Sequence, residues 1–208
     1  MAFPTTNATQ ELPAVNEILA SVGQAPVTTL DQTNPDVAIA YDTLLNVSRE
    51  VQAEGWTFNT EEYYELTPDA NGEIVIANNI LHIDLHDEKD QEYESVRRSG
   101  KLYEKTNHTY DWTTLTGWDK VPCDIVWFFD WVDLPRPVQD YIVARAAAIV
   151  SSRIVGDANQ YQFLGQKEIV ARSQALEYEC RQGDYTFFGH ARGKKVYNSY
   201  QPYQALQR

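Results

Sequence analysis

Three sets of residues in this chain have types and spacings that could do chemistry. His82, Asp84 and His86 alternate along a predicted strand, which brings both imidazoles and the carboxylate to one face, as zinc ligation requires. No further group is placed to orient the imidazoles, and polar alternation on a half-exposed strand accounts equally well for the pattern. Glu61–Glu62 and Asp87–Glu88 are carboxylate pairs, the equipment of acid–base hydrolysis, yet such pairs are inevitable in an acidic stretch and nothing arranges them about a substrate. Cys123 and Cys180 stand 57 positions apart in unlike contexts. They suggest neither a disulfide framework nor a CxxC site, and the expectation is two reduced, buried thiols. There is no GxSxG turn, Walker-type phosphate loop or GxGxxG loop, so the expectation is a protein without catalytic residues, bound metal or cofactor.

The C-terminal stretch carries recognition chemistry instead. Gly189 to Arg208 holds Arg192, Lys194, Lys195 and Arg208 with no acid, a net charge of +4. Tyr185, Phe187, Phe188, Tyr197, Tyr200 and Tyr203 punctuate the same region. Its glycine, glutamine and asparagine content cannot build a core of its own, so it reads as an arm that orders on a protein partner. Single-stranded nucleic acid and a frayed terminus are the alternatives that the same composition leaves open.

The body has the opposite sign. The 208 residues sum to −13, so everything outside the arm carries −17. Within it, Glu54 to Glu94 holds 12 acids against Lys89, a net of −11, followed by Ser95 to Lys105 at +3. Such a surface does not seek phosphates or anionic lipid by bulk attraction. It suits basic partners, or a wall past which another anion slides. A chain with 12% aromatic residues folds, and at this length it buries roughly 70% of its unfolded surface without staples. No leader pattern opens the sequence, and no stretch approaches the ~20 apolar residues of a membrane span, so a soluble product made in a cytoplasm is expected.

Periodicity supplies the elements that carry these groups. Leu12, Val15, Ile18, Leu19 and Val22 predict a first helix over 12–22, with Pro13 in its first turn and Gly23 at its stop. Asn34, Pro35 and Asp36 announce a second helix, whose stripe of Val37, Ala40, Tyr41, Leu44, Val47 and Val51 ends at Gly55. From Trp56 the period becomes two, with Trp56, Phe58, Tyr64 and Leu66 on one strand face. Asn71–Gly72 predicts a hairpin into strands at 73–77 and 80–86, and Ser99–Gly100 predicts another between 93–98 and 101–105. Cys123 to Trp131 is apolar on both faces and should be a covered or central strand. Leu134–Pro135–Arg136–Pro137 opens a third long helix, whose Ala146 to Ala148 permits close approach inside the chain or to another copy. A last helix over about 158–182 carries Tyr161, Leu164, Ala171, Ala175 and Tyr178 on its stripe, with Ile169, Leu176 and Cys180 alongside. The fold class is α+β. Two N-terminal and two C-terminal helices (1–55 and 132–183) form a four-helix bundle, with an inserted antiparallel β domain (56–131) and an extended arm (184–208).

Four collinear segments add a resemblance. Ala14 to Val27, Gly55–Trp–Thr–Phe–Asn–Thr–Glu–Glu62, Leu134 to Ala146 and Leu176 to Tyr185 are similar to tail tubular protein A of short-tailed bacteriophages, the head-to-tail adaptor family. The likeness runs from about residue 12 to 188, and the Gly55–Asn59 segment is its most specific piece. It implies a non-enzymatic virion protein of the tail, assembled in the host cytoplasm. Twelve copies would form a ring beneath the dodecameric portal protein and receive tail tubular protein B, the hexameric nozzle, on the other side. Tail fibre protein would attach around the junction, and DNA would pass through the channel without being held. The resemblance gives the C-terminal extension to the portal, although 189–208 lies beyond the matching segments; the arm's own chemistry then offers Tyr185, Phe187, Phe188, Tyr197, Tyr200 and Tyr203 as anchors, with Arg192, Lys194 and Lys195 against portal carboxylates. Two other readings stand beside it: an acidic regulatory or DNA-mimicking binding protein, and a metal-dependent enzyme built on the His82 strand.

Overall fold

A computed structural model describes residues 8–86 and 93–183, and the backbone of 185–186 and 189–190. The chain is α+β. Helix α1 (Ala8–Ser21) begins earlier than its apolar stripe, which places Pro13 inside the helix rather than in its first turn. The missing N–H there removes a single intrahelical bond near the start, where the helix tolerates it. Helix α2 (Pro35–Gln52) starts as its sequence dictates: Asn34 Oδ1 accepts from Asp36 N at 3.1 Å, Pro35 occupies the first turn and Asp36 meets the positive end of the dipole. Strands β1 (Thr60–Leu66), β2 (Ile80–Leu85), β3 (Ser95–Arg98) and β4 (Lys101–Glu104) follow, then a short helix α3 (Trp112–Thr116) and strand β5 (Val121–Trp127). Helices α4 (Arg136–Ile154) and α5 (Ala158–Gly183) and the two-residue strands β6 (Tyr185–Thr186) and β7 (Gly189–His190) complete the order. No helix among the described residues is long and apolar enough to cross a membrane.

Helix α4 is the hub of the helical layer. It touches α1, α2 and α5, and α1 also packs on α2. Val138, Tyr141, Ile142, Ala146 and Val150 of α4 join Val15, Ile18 and Leu19 of α1 and Val37, Leu44 and Val51 of α2 in one apolar cluster. Each large side chain there stabilises by about 1.5–3 kcal/mol. Ala146, Ala147 and Ala148 are all buried within the chain, so their small size serves an internal contact.

The second apolar cluster lies in the β region, where Ile83, Leu85, Leu102, Trp112, Val121, Cys123 and Ile125 meet. Strand β5 is central in a three-stranded antiparallel sheet of order β1-β5-β2, as its two apolar faces require. The β3–β4 hairpin turns through Ser99 and Gly100, both at positive φ (53° and 75°), which matches the twist of the strands it joins. Three sequence expectations fail nearby. The Asn71–Gly72 turn forms, closed by Asp69 N to Glu73 O at 2.8 Å, but residues 73–77 do not return onto β1. They run beside β4 instead, through Ile76 N to Gly100 O (2.8 Å) and Leu102 N to Ile74 O (2.9 Å). Helix α3, which no periodicity announces, exists because Asp111 caps Thr114 N and Trp112 is buried with its Nε1 donating to Leu102 O at 3.0 Å. Strand β5 ends at Trp127 rather than Trp131, because beyond Phe128, whose N donates to Asn79 O at 2.7 Å, Phe129 turns to Gln52 of α2.

That turn belongs to a joint between the two clusters. Residues 56–59 form a turn where the sequence predicts the start of a strand. Gly55, at φ 76°, lets the chain leave α2, and Trp56 drops into the helical cluster with its Nε1 donating to Val51 O at 2.7 Å. Buried Asn59 donates through Nδ2 to Gln52 O (2.9 Å) and Trp127 O (2.8 Å), while its Oδ1 accepts from Trp56 N (2.8 Å). Fully buried Gln52 donates through Nε2 to Ser48 Oγ and Phe129 O, each at 3.1 Å, and accepts from Phe129 N at 2.8 Å. Two side-chain amides thereby satisfy backbone groups at the end of α2 and the end of β5, which would otherwise be orphaned inside the protein. Asn59→Ala leaves Trp56 N–H without its acceptor, and is expected to lower unfolding free energy by about 2–4 kcal/mol. Denaturant titration followed by circular dichroism checks this, and a change inside experimental error contradicts the role of the joint.

A buried carboxylate fastens the end of β4. Burial of Glu104 opposes its ionisation, but Thr106 N (2.9 Å), Asn107 N and Glu94 N (3.3 Å) all donate to it and hold its carboxyl below the ordinary range. A depressed carboxyl contributes stability that is present above its unfolded value and lost as pH falls through the folded one. Wild type should therefore lose stability on acidification below 4.5, the ordinary value of a glutamate carboxyl. Glu104→Gln should be less stable at neutral pH and show a shallower acid loss, measured by unfolding midpoints across that range.

Candidate assembly surface

The residues that could have done chemistry are separated by the fold. His86 Nδ1 lies 2.8 Å from Asp124 Oδ1 and its ring stands edge-on to Tyr63. Asp84 accepts from Leu85 N at 2.9 Å and Ser95 Oγ at 3.2 Å, and His82 is exposed at a break in the β2–β5 register. Among the described residues, no three His, Cys, Asp or Glu groups converge as metal ligands. Glu61 accepts from Trp127 Nε1 at 3.0 Å, Glu62 is exposed, and Asp87–Glu88 lie outside the described residues. Glu61, Glu62 and Glu65 of the acidic stretch stand exposed on β1, and the basic block after the stretch answers part of its charge through Lys101–Glu73 and Lys105–Glu94. Such exposed pairs contribute about 0–1 kcal/mol each.

Of the arm residues, Tyr185 lies in β6, whose backbone pairs with β7 (Tyr185↔His190, Thr186↔Gly189). Phe187, Phe188, Arg192, Lys194, Lys195, Tyr197, Tyr200 and Tyr203 lie outside the described residues.

What the described surface does present is a ridge. Helix α5 is 26 residues long, yet it buries only Leu164, Ala171, Ala175 and its last residue, Gly183. Two buried alanines let the helix lie close on α4, and a charged cluster fixes it there. Arg172 Nη1 donates to Tyr141 Oη at 2.8 Å with its guanidinium 5.5 Å from the ring, and Arg172 Nη2 reaches Glu54 at 3.2 Å. Arg145 donates to the same Tyr141 oxygen at 3.2 Å and pairs with Glu50 at 3.0 Å. At the C-terminal end, the Glu179 carboxylate accepts from Thr57 N at 2.9 and 3.1 Å, tying α5 to the joint.

With that narrow seam closed, the remaining apolar side chains of α5 face water on both flanks. Tyr161, Ile169 and Leu176 lie on one, Phe163 and Val170 on the other, with exposures from 45% (Leu176) to 69% (Phe163). Several large apolar groups this open on one helix mark an interaction surface rather than scattered exposure. Tyr161 thus belongs outside the buried stripe in which its spacing placed it. Phe163 and Val170 were not singled out by sequence reading. The available signal was that α5 is apolar around too much of its circumference for one buried face. Gly165 opens a notch between Tyr161 and Ile169, since an added Cβ would meet nothing within 4 Å.

The cysteines also divide. Cys123 is buried on β5, where burial, then the Asp124 and Asp84 carboxylates, push its thiol up to about 12. Cys180 is exposed on α5, contrary to the expectation of two buried thiols, because the ridge that carries it is not covered by the described residues.

Comparison with known proteins follows this geometry. The tail tubular protein family matches residues 12–185. Tail tubular protein A of Klebsiella phage KP34 is 27% identical over 174 residues, covering 83% of this chain and 88% of that protein.

The two thiols should react at very different rates in the native chain. Cys180 is expected to label quickly with a thiol reagent and Cys123 only on unfolding, as accessibility and thiolate fraction dictate. Equal labelling of both in the folded protein contradicts the placement of β5 in the core.

Proposed function

Because the chain belongs to the tail tubular protein family, whose members are structural components of phage tails, we propose that it is the head-to-tail adaptor. Twelve copies form a ring that seats on the portal protein, receives the nozzle protein and tail fibres, and encloses part of the channel through which DNA leaves the capsid. The observation that carries this reading is the α5 ridge: its outer apolar flanks stay open although the helical cluster is complete without them. A closed ring covers two different sides of every subunit and leaves no such flank in water.

The division of labour follows the chain. The helical parts, 1–55 and 132–183, build the ring as a four-helix bundle, the β domain at 56–131 projects from it, and 184–208 grips the portal. A body of −17 repels passing phosphates, so the wall of the channel does not hold DNA. The +4 arm has the reverse sign and supplies aromatic anchors, Tyr185, Phe187, Phe188, Tyr197, Tyr200 and Tyr203, with Arg192, Lys194 and Lys195 answering portal carboxylates.

Native mass measurement of the chain with and without its portal at low salt tests the reading. Twelve adaptors per portal are expected, and failure to associate overturns it. Deleting 189–208 should weaken portal capture while leaving the helical dichroism unchanged; unaltered capture removes the arm from the scheme.

A further inference from the structure

The ring reading does not say which surfaces meet. The molecule carries a knob and a socket whose shapes and charges correspond. The knob is one flank of α5. Phe163, Lys167 and Val170 fall at steps of four and three residues, so they line one side of the helix. Phe163 and Val170 are among the most exposed apolar side chains of the described residues, and Lys167 makes no ion pair among them.

The socket is a cavity of about 300 Å³ between the N-terminal halves of α1 and α4. Pro13, Ala14, Trp131, Val132 and Val143 give it apolar walls, and polar side chains, Glu17 among them, make up the other half of its lining. A cavity of roughly half that volume accommodates a benzene ring. Arg136 of the same lining is engaged by Asp140 at 2.9 Å, whereas Glu17 is exposed and has no ion-pair partner among the described residues.

One chain cannot bring these two features together. Tyr141 and Arg145 face α5 through Arg172 and the shared Tyr141 oxygen, whereas Asp140 and Val143 line the socket. At ~100° per residue the centres of these two sets lie roughly 150° apart around α4. Knob and socket therefore point to different sides of the helical layer. Each copy offers both, which is the condition for a head-to-tail contact that repeats from copy to copy.

We propose that the Phe163–Lys167–Val170 flank of α5 docks into the α1–α4 socket of a second copy of this chain, with Phe163 in the cavity and Lys167 against Glu17. The contact rests on the ring reading and supplies its lateral interface. It sets an apolar side chain against the apolar part of the cavity wall, and pairs two charges that have no ion-pair partner among the described residues.

Native mass spectrometry and light scattering of the chain on its portal test the contact. Phe163→Asp should bind without completing a ring, with unchanged circular dichroism because the position is exposed. Lys167→Glu should weaken lateral association by roughly tenfold, the scale of one well-placed charge pair at an interface. Adding Glu17→Lys to Lys167→Glu should restore it, since the swapped pair can form only between copies. Complete rings from Phe163→Asp, or a double variant no better than Lys167→Glu alone, overturn this contact and leave the ring standing on other surfaces. If wild type forms no ring on the portal, the ring reading itself fails and the contact with it.

Discussion

Two buried amides, Gln52 and Asn59, set the relation between the helices and the sheet, because neither the end of α2 nor the end of β5 can satisfy its own backbone without them. Gln52 takes both the N–H and the C=O of Phe129, and Asn59 takes the carbonyl of Trp127 and the N–H of Trp56. A carboxamide offers donor and acceptor on one planar group, which an aliphatic or a carboxylate side chain cannot supply. Inside a low-dielectric interior each missing partner costs the full desolvation of the group left bare. The joint is thus specific as well as stabilising. The Gly55–Asn59 segment that carries the family likeness is this joint, with Trp56 as its plug, Thr57 as its strap to Glu179 and Phe58 packed against Phe129.

The position of α5 follows from the same constraint. Thr57 anchors its C-terminal end, and the Tyr141, Arg172 and Glu54 cluster anchors its middle. Polar fastening of this kind needs little apolar burial from the helix itself, so the seam against α4 can consist of Leu164 and two alanines. The larger side chains remain on the flanks, where burial against another surface is worth about 25 cal/mol per Å². A helix held by hydrogen bonds on its inner side can keep its hydrophobic area for a partner.

Much of this was legible in the sequence wherever one local signal decided the outcome. Asn34–Pro35–Asp36 starts α2 because cap, fixed φ and dipole charge agree at neighbouring positions, and Ser99–Gly100 turns because both residues tolerate positive φ. The doubly apolar β5 could only be central. Misreadings arose where tertiary partners outvoted the local pattern. Trp56 and Phe58 alternate like strand residues, but Asn59 spends its amide on the joint and the strand waits until Thr60. Residues 73–77 follow a good turn yet pair with β4, where Ile74 and Ile76 are buried in one apolar cluster with Leu102. The periodicity of α5 gave its existence and length, but not which apolar residues would be buried, because three- and four-residue steps describe more than one stripe on a helix of 26 residues. Cys180 was misplaced for the same reason.

The charge distribution bears on how an exposed apolar ridge is tolerated at all. Each chain carries −13, and its largest acidic concentration falls between Glu54 and Glu94, mostly in the β part of the sequence rather than on α5. Two copies approaching ridge to ridge meet like charge at long range, screened beyond ~10 Å at 0.1 M salt but unfavourable within it. Apolar contact acts only at close approach, so encounters in random orientation are repelled before burial can reward them. Pairing then favours an orientation in which opposite local charges, such as Lys167 and Glu17, come together while the acidic sheets stay apart. In the proposed ring the net charge thus selects the geometry, and the hydrophobic flank holds it once selected.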